Sequence, residues 1–174
     1  MHLDQHALAA RVARARSALG HGIRYGMGQG GNHPEDPLPT RNGLCDCSGF
    51  AAWVLGVDRH QADKGKPWSK SMPWIETMAI VRSVYDPLRS VSDQHGMFIR
   101  LLDPVPGCLA VYGDYKSLGR THQGHVMVVE AVPPGRILTI DCSVSGGGIA
   151  AMDRTGIIKA RGAIFVALRQ DVVG

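Results

Sequence analysis

Leu8, Val12, Ala15 and Leu19 recur at helical spacing behind Asp4, a residue type suited to an N-cap. The pattern predicts a first helix that turns Arg11, Arg14 and Arg16 to water. From Gly20 to Gly43 the chain is rich in Gly, Pro, Asn and Asp, which predicts a long irregular loop inside a domain rather than a linker between two. Helical spacing returns over Ser48 to Leu55, where Phe50, Ala51, Val54 and Leu55 are apolar and Gly56 stands where a helix stop belongs. Asp58 to Lys70 reads as a polar surface loop, and Trp74 to Val84 as a further helix carrying Ile75, Met78, Ala79 and Val81 or Val84 inward. Beyond Pro104 the period shortens. Apolar or alternating runs at Cys108 to Tyr112, His125 to Val132, Ile137 to Asp141 and Ala163 to Leu168 predict strands, with Pro133-Pro134-Gly135 a hairpin signal between two of them. Helices first and an antiparallel sheet afterwards predict an α+β domain.

Length and composition narrow this picture. At 174 residues the chain suits one domain, residues 1–174, with its core over about 18–168. A hydrophobic share of 44% with 20% charged residues is that of a folded chain and not of a disordered one. The formal charge of +4 favours an anionic partner such as a cell-wall polymer or a nucleic acid. Its basic residues are spread out, however, with no arginine-rich run, zinc-finger spacing or RNP-like motif, so no nucleic-acid partner is expected. No apolar run is long enough for a membrane span. The opening Met1-His-Leu-Asp-Gln-His lacks the basic and apolar regions of a secretory signal, which predicts synthesis in the cytoplasm and leaves final location open. Cysteines at 45, 47, 108 and 142 are too few for a disulfide scaffold and lack paired C-x-x-C spacing.

The stretch Leu44-Cys-Asp-Cys-Ser-Gly-Phe-Ala-Ala-Trp-Val-Leu55 carries the most chemistry. It sets Cys47 at a helix start, where aligned backbone dipoles and unsatisfied N–H groups favour a thiolate and offer an oxyanion hole. A thiolate needs a partner that takes and returns a proton near neutrality, the role of histidine. Gly124-His125-Val-Met-Val-Val-Glu130 supplies one at the start of a strand. Across the expected hairpin, Ile140-Asp141-Cys-Ser143 brings an acid that orients the ring, with Ser143 as the alternative orienter.

These residues resemble the NlpC/P60 family of papain-like cell-wall peptidases. Asp46-Cys47-Ser48-Gly49-Phe50 is similar to the family's nucleophile motif and Gly124-His125-Val126 to its histidine motif. Ile23-Arg-Tyr25-Gly26 resembles the tyrosine-containing approach to the cysteine, and Pro106-Gly107-Cys-Leu-Ala-Val-Tyr112 the P-G-D-L strand before the histidine. The family order runs from about Ala18 to about Gly148. The chain departs from it twice, with Asp141 where the family usually has His, and Cys108 in place of the P-G-D aspartate. The resemblance implies a papain-like fold and a cysteine peptidase or amidase cutting an amide bond of peptidoglycan stem peptides, commonly between D-glutamate and a diamino acid. It implies no cofactor and no metal. It also implies substrate contacts at Tyr25, Asp46 and Ser48. Cytosolic turnover of wall peptides, a phage lysin and a delivered toxin all suit it, the last with an immunity protein as partner.

Plainer readings stand beside these. A cysteine at a helix start is more often a small buried hydrophobe than a nucleophile. Cys45 lies two residues from Cys47 but precedes the helix, and His122 rivals His125 from a basic loop, Tyr115 to Gln123. Asp141 suits local strand-end hydrogen bonds too, and Trp53, Trp68 and Trp74 suit the core or a cleft wall. Cys45, Cys47, His125 and Cys142 together offer a weakly spaced metal-ligand set. An acyl-thioester on Cys47 resolved by an amine or alcohol would make the chain an acyltransferase. Ser145 to Gly148 and Gly26 to Gly31 are expected to flex around the cleft as lids.

Overall fold

A computed structural model describes residues 2–57, 59, 77–85 and 98–173, without the side chains of residues 79, 82, 83 and 85. Apart from residue 59, the loop expected over Asp58 to Lys70, with Trp68 in it, lies outside the described residues, as do Trp74 and Ile75 of the following helix and the inward side chain of Ala79. In chain order the elements are β1 (His2–Leu3), α1 (Gln5–Ser17), β2 (Arg24–Tyr25), β3 (Leu44–Cys45), α2 (Cys47–Leu55) and α3 (Thr77–Tyr85). Then come β4 (Phe98–Leu101), β5 (Leu109–Tyr112), β6 (Tyr115–Ser117), β7 (Arg120–His122), β8 (His125–Ala131) and β9 (Leu138–Ser143). The chain closes with β10 (Gly148–Asp153), α4 (Thr155–Arg161), β11 (Ile164–Leu168) and β12 (Val172–Val173). Helices with a six-stranded antiparallel sheet make this an α+β arrangement, the sheet running in the order β10-β9-β8-β5-β11-β4.

Asp4 caps α1, its carboxylate accepting from the N–H of His6 at 2.9 Å and of Ala7 at 3.1 Å. Leu8, Val12 and Ala15 are buried as the spacing predicts. Arg11 is not on the wet face: it is 7% exposed, and its guanidinium forks onto both oxygens of the buried Asp171, with Nη2 at 2.6 Å from Oδ1. Three residues beyond Leu8, it lies on the apolar stripe, and pairing of β1 with β12 carries Asp171 beneath it. Arg14 is half-buried over the Trp53 ring at 4.4 Å, and Arg16 alone of the three reaches water freely.

All nine residues of α2 are buried, so it is a core helix rather than an amphipathic surface one. Its last turn closes on Gly56 at φ 71°, the left-handed cap that glycine adopts without strain. Strand alternation divides the sheet into two faces. Val111, Val126, Val128, Ile140, Cys142 and Val166 pack with Phe50 and Trp53 of α2, together with residues of α1 and α3. Met127, Val129, Ala110 and Tyr112 face the other way, toward Ile158 of α4.

The β8–β9 hairpin pairs Val128 with Ile140 and Val129 with Thr139. Carried outward, that register puts residue 125 across from 143 and diagonal to 141, on one face and within reach of long side chains. Tyr112 is the direct cross-strand partner of His125 on β5. No helix among the described residues is long and apolar enough to cross a membrane.

Candidate active site

Cys47 is the first residue of α2, and the residues around it fix the helix start rigidly. The Asp46 carboxylate caps the helix by accepting from Gly49 N–H at 2.7 Å and the Ser48 hydroxyl at 3.1 Å. Its second oxygen accepts from Gly28 N–H at 2.7 Å and from Arg59 at 2.8 Å. Arg59 is 3% exposed and also reaches the Ser48 hydroxyl at 2.9 Å and the Gln29 carbonyl at 3.0 Å. The buried carboxylate is thus balanced by a buried guanidinium, and the irregular loop is tied to the helix that carries the thiol.

Glycine is required here for space. A Cβ on Gly49 would come within 2.4 Å of the Gln29 carbonyl oxygen, and one on Gly31 within 2.4 Å of the Gly49 carbonyl oxygen. Gly148 sits as tightly against Ile23, where a Cβ would meet the carbonyl oxygen at 1.9 Å. Each of the two Gly-rich stretches expected to act as lids is therefore seated backbone on backbone at its last glycine, Gly31 or Gly148, while Gly28 and Gly147 have open space where a Cβ would stand.

Cys47 opens on a pocket of about 580 Å³ whose wall includes Tyr25, Tyr112, His125, Ser143 and Arg154. Asp46 and Ser48 line it as well, so the three residues expected to contact substrate share one pocket with the thiol. Tyr25 is half-buried, and its hydroxyl is raised above the usual phenol range by burial first and then by the neighbouring Cys47 and Asp46.

His125 begins β8 with Nε2 3.3 Å from Asp141 Oδ1. The contact is an ion pair rather than an aligned hydrogen bond: no acceptor among the described residues lies in line with Nε2. Burial works against a charged imidazole, but Asp141 and then Cys47 outweigh it and push His125 up to about 9. Thiol and imidazole line the same pocket, and the carboxylate lies against the imidazole.

Asp141 is fully buried, and burial alone would make its carboxyl harder to ionise. His125 and Arg154 reverse this and hold it down at about 2. Arg154, immediately after β10, forks onto the carboxylate with Nε 2.9 Å from Oδ2 and Nη2 2.9 Å from Oδ1, while Thr139 donates to Oδ2 at 3.3 Å. Arg154 and Arg59 were not singled out by the sequence. Arg154 follows Asp153 at the end of a short strand, where a charged pair ordinarily means a solvated turn, and only the β9–β10 pairing aims it at Asp141.

The competing residues lie elsewhere or are otherwise engaged. Cys45 is fully buried, its thiol raised by a hydrogen bond with Cys142 and then by burial, and it points to the Asp46 carbonyl at 3.3 Å. Cys108 is fully buried, and burial pushes it up to about 12. His122 stacks on Tyr115 on an exposed hairpin, ring centroids 4.8 Å apart. The Ser143 hydroxyl accepts from Arg154 at 2.8 Å and from Gly146 N–H at 3.1 Å, so Asp141 is the group beside the imidazole. Trp53 is core, its indole N–H on the Asp36 carbonyl at 2.9 Å. Among the described residues no cluster of three or more His, Cys, Asp or Glu is placed to hold a metal.

No family model matches the chain, and no curated protein matches it either. Among solved structures, the crystal structure of Ly7917 is similar over 92% of this chain at 14% identity, with a TM-score of 0.46. The chain spans 62% of the length of that chain.

Proposed function

We propose that this chain is a cysteine peptidase or amidase of the NlpC/P60 type, with a papain-like arrangement, that hydrolyses an amide bond in peptidoglycan stem peptides. The observation that carries the proposal is the meeting of Cys47, at a helix start, with His125 in one pocket, and of His125 with Asp141 buried behind it. The Cys47 thiolate attacks the amide carbonyl carbon, and the carbonyl π electrons move onto oxygen. The N–H groups of Cys47 and Ser48, in the unpaired first turn of α2, receive that oxyanion, since Gly49 N–H is already held by Asp46. With Nε2 facing Asp141, Nδ1 serves the thiol. The imidazolium gives its proton to the leaving amine as the C–N bond breaks, which leaves an acyl-thioester on Cys47. Water then attacks the thioester, His125 takes its proton, and the acid product leaves as the thiolate–imidazolium pair is restored.

Tyr25, Asp46 and Ser48 are the proposed contacts for the free end of the peptide. Mass spectrometry of purified muropeptides incubated with the wild type and with Cys47→Ala tests the reading. Fragments with a gain of one water, formed by the wild type alone, are the expected result and name the bond cut. Muropeptides left intact by both proteins would overturn the substrate assignment.

A further inference from the structure

The group that most needs explaining is a carboxylate with no access to water. Asp141 is fully buried, and its contact with His125 is long and poorly aligned. An anion in that position is unfavourable unless other donors take up its lone pairs. Arg154 supplies two of them in a planar fork at 2.9 Å each. The same guanidinium is fixed from its far side by the Ser143 hydroxyl at 2.8 Å and the Ser145 hydroxyl at 3.2 Å. Oδ1 is shared between Arg154 and His125, so the plane of the carboxylate seen by the imidazole is set by the arginine.

We propose that Arg154 is a positioning residue that holds Asp141 ionised and in plane, shares its charge, and so limits how tightly His125 keeps its proton. This rests on the cysteine-amidase reading above and goes beyond the three-residue site. Its physical content is a charge balance. Thiolate and imidazolium cancel, carboxylate and guanidinium cancel, and the site is neutral in its reactive state. When His125 hands its proton to the leaving amine, Asp141 remains ionised because its second partner has not changed. A lone buried aspartate would instead grip the imidazolium and slow that transfer. The groups facing His125 are Cys47 from α2, Tyr112 from β5, Asp141 from β9 and, behind Asp141, Arg154. Arg154 is the cation among them whose charge is permanent.

Alkylation of Cys47 by iodoacetamide, followed against pH and located by peptide mass mapping, tests this in the full chain without any substrate. The upper inflection of the rate reports loss of the imidazolium proton beside the thiolate. Arg154→Gln removes a cation near the ring and leaves the Asp141 charge unshared, and both effects act in one direction. The expected upward movement of the inflection is about one pH unit, a tenfold tighter proton. Arg154→Lys keeps the charge and loses the fork, so it moves the inflection the same way by less, and it serves alone where the glutamine variant does not fold. A purely structural arginine would lower Tm in both variants and leave the inflection in place. An inflection that stays or falls overturns the proposal. The outcome is separate from the substrate question, because intact muropeptides leave the alkylation profile readable. A wild-type Cys47 without an upper inflection would sink the thiol–imidazole pairing, and this inference with it.

Discussion

His125 Nε2 lies 3.3 Å from Asp141 Oδ1, across a hairpin whose register makes the two residues diagonal neighbours. The position is set by the strands rather than by a loop, so the ring is held without a strong hydrogen bond. Asp141→Asn keeps the shape of the side chain and removes the charge that favours the imidazolium. The expected loss is about 10²-fold in kcat, at the low end of what a positioned proton transfer contributes. The same change strands the Arg154 guanidinium, and breaking such a buried pair destabilises by about 3 kcal/mol. Urea unfolding beside single-turnover kinetics separates the two effects. Unchanged kcat with lowered stability would remove Asp141 from the chemistry.

Arg11 and Arg16 lie on one helix and predict opposite outcomes. Arg11 forks onto Asp171 with side chains 8% and 2% exposed, whereas Arg16 meets Glu130 with its own side chain 58% exposed. Arg11→Ala leaves a buried carboxylate without its cation and is expected to cost about 3–5 kcal/mol. Arg16→Ala is expected to cost under about 1 kcal/mol, because water and salt screen an exposed pair. Neither lines the pocket on which the thiol opens, so Cys47 alkylation rates should match the wild type wherever the variants are folded. Equal costs in denaturant titration would contradict the burial argument.

Gly49→Ala tests whether the close seating of loop on helix positions the nucleophile. The added methyl would meet the Gln29 carbonyl oxygen at 2.4 Å and the Gly30 carbonyl oxygen at 2.8 Å, both backbone atoms that cannot swing away. Relief requires the loop to lift, at about 1–3 kcal/mol for overpacking of this kind. The movement would also pull Gly28 N–H and Arg59 from Asp46 and loosen the helix start. A fall in Tm together with slower Cys47 alkylation is expected. A normal alkylation rate at reduced Tm would show that the seating is structural alone.

The legible parts of this chain were those governed by short-range rules. Asp4, Gly56 and the period of Leu8, Val12 and Ala15 give α1 and the end of α2 directly, since caps and stripes depend on residues within a turn or two. Cys47 and His125 were legible as candidates because each opens an element, and Asp141 because a hairpin joins it to His125, although the strand expected to end at Asp141 runs on to Ser143. Strands β4 and β10 were not, for β4 carries Arg100 inside its short apolar run and β10 opens on a glycine run that reads as loop. The exposed β6–β7 hairpin has the polar composition of the loop expected there. Arg11 and Arg154 were misread or missed for one reason. Burial of a guanidinium depends on a carboxylate 160 residues away in one case and 13 in the other, and no periodicity records that partner.

The pH dependence of stability follows from the two shifted groups, which act at opposite ends. The folded-state value of His125, about 9, lies above its ordinary 6.5. Its contribution is therefore fully present below 6.5 and is lost as pH rises from there through 9. Asp141, at about 2, lies below its ordinary 3.8, so its contribution is present above 3.8 and is lost as pH falls toward 2. Between about 4 and 6.5 neither contribution changes, and these two groups give a plateau there. Cys47→Ala removes one of the partners that raise His125 while leaving Asp141 in place. Its decline on the alkaline side should begin at the same pH and end earlier, with the acid side unaltered. Urea midpoints measured from pH 3 to 10 for both proteins check this, and an alkaline limb identical in the two would mean that the thiol does not act on the imidazole.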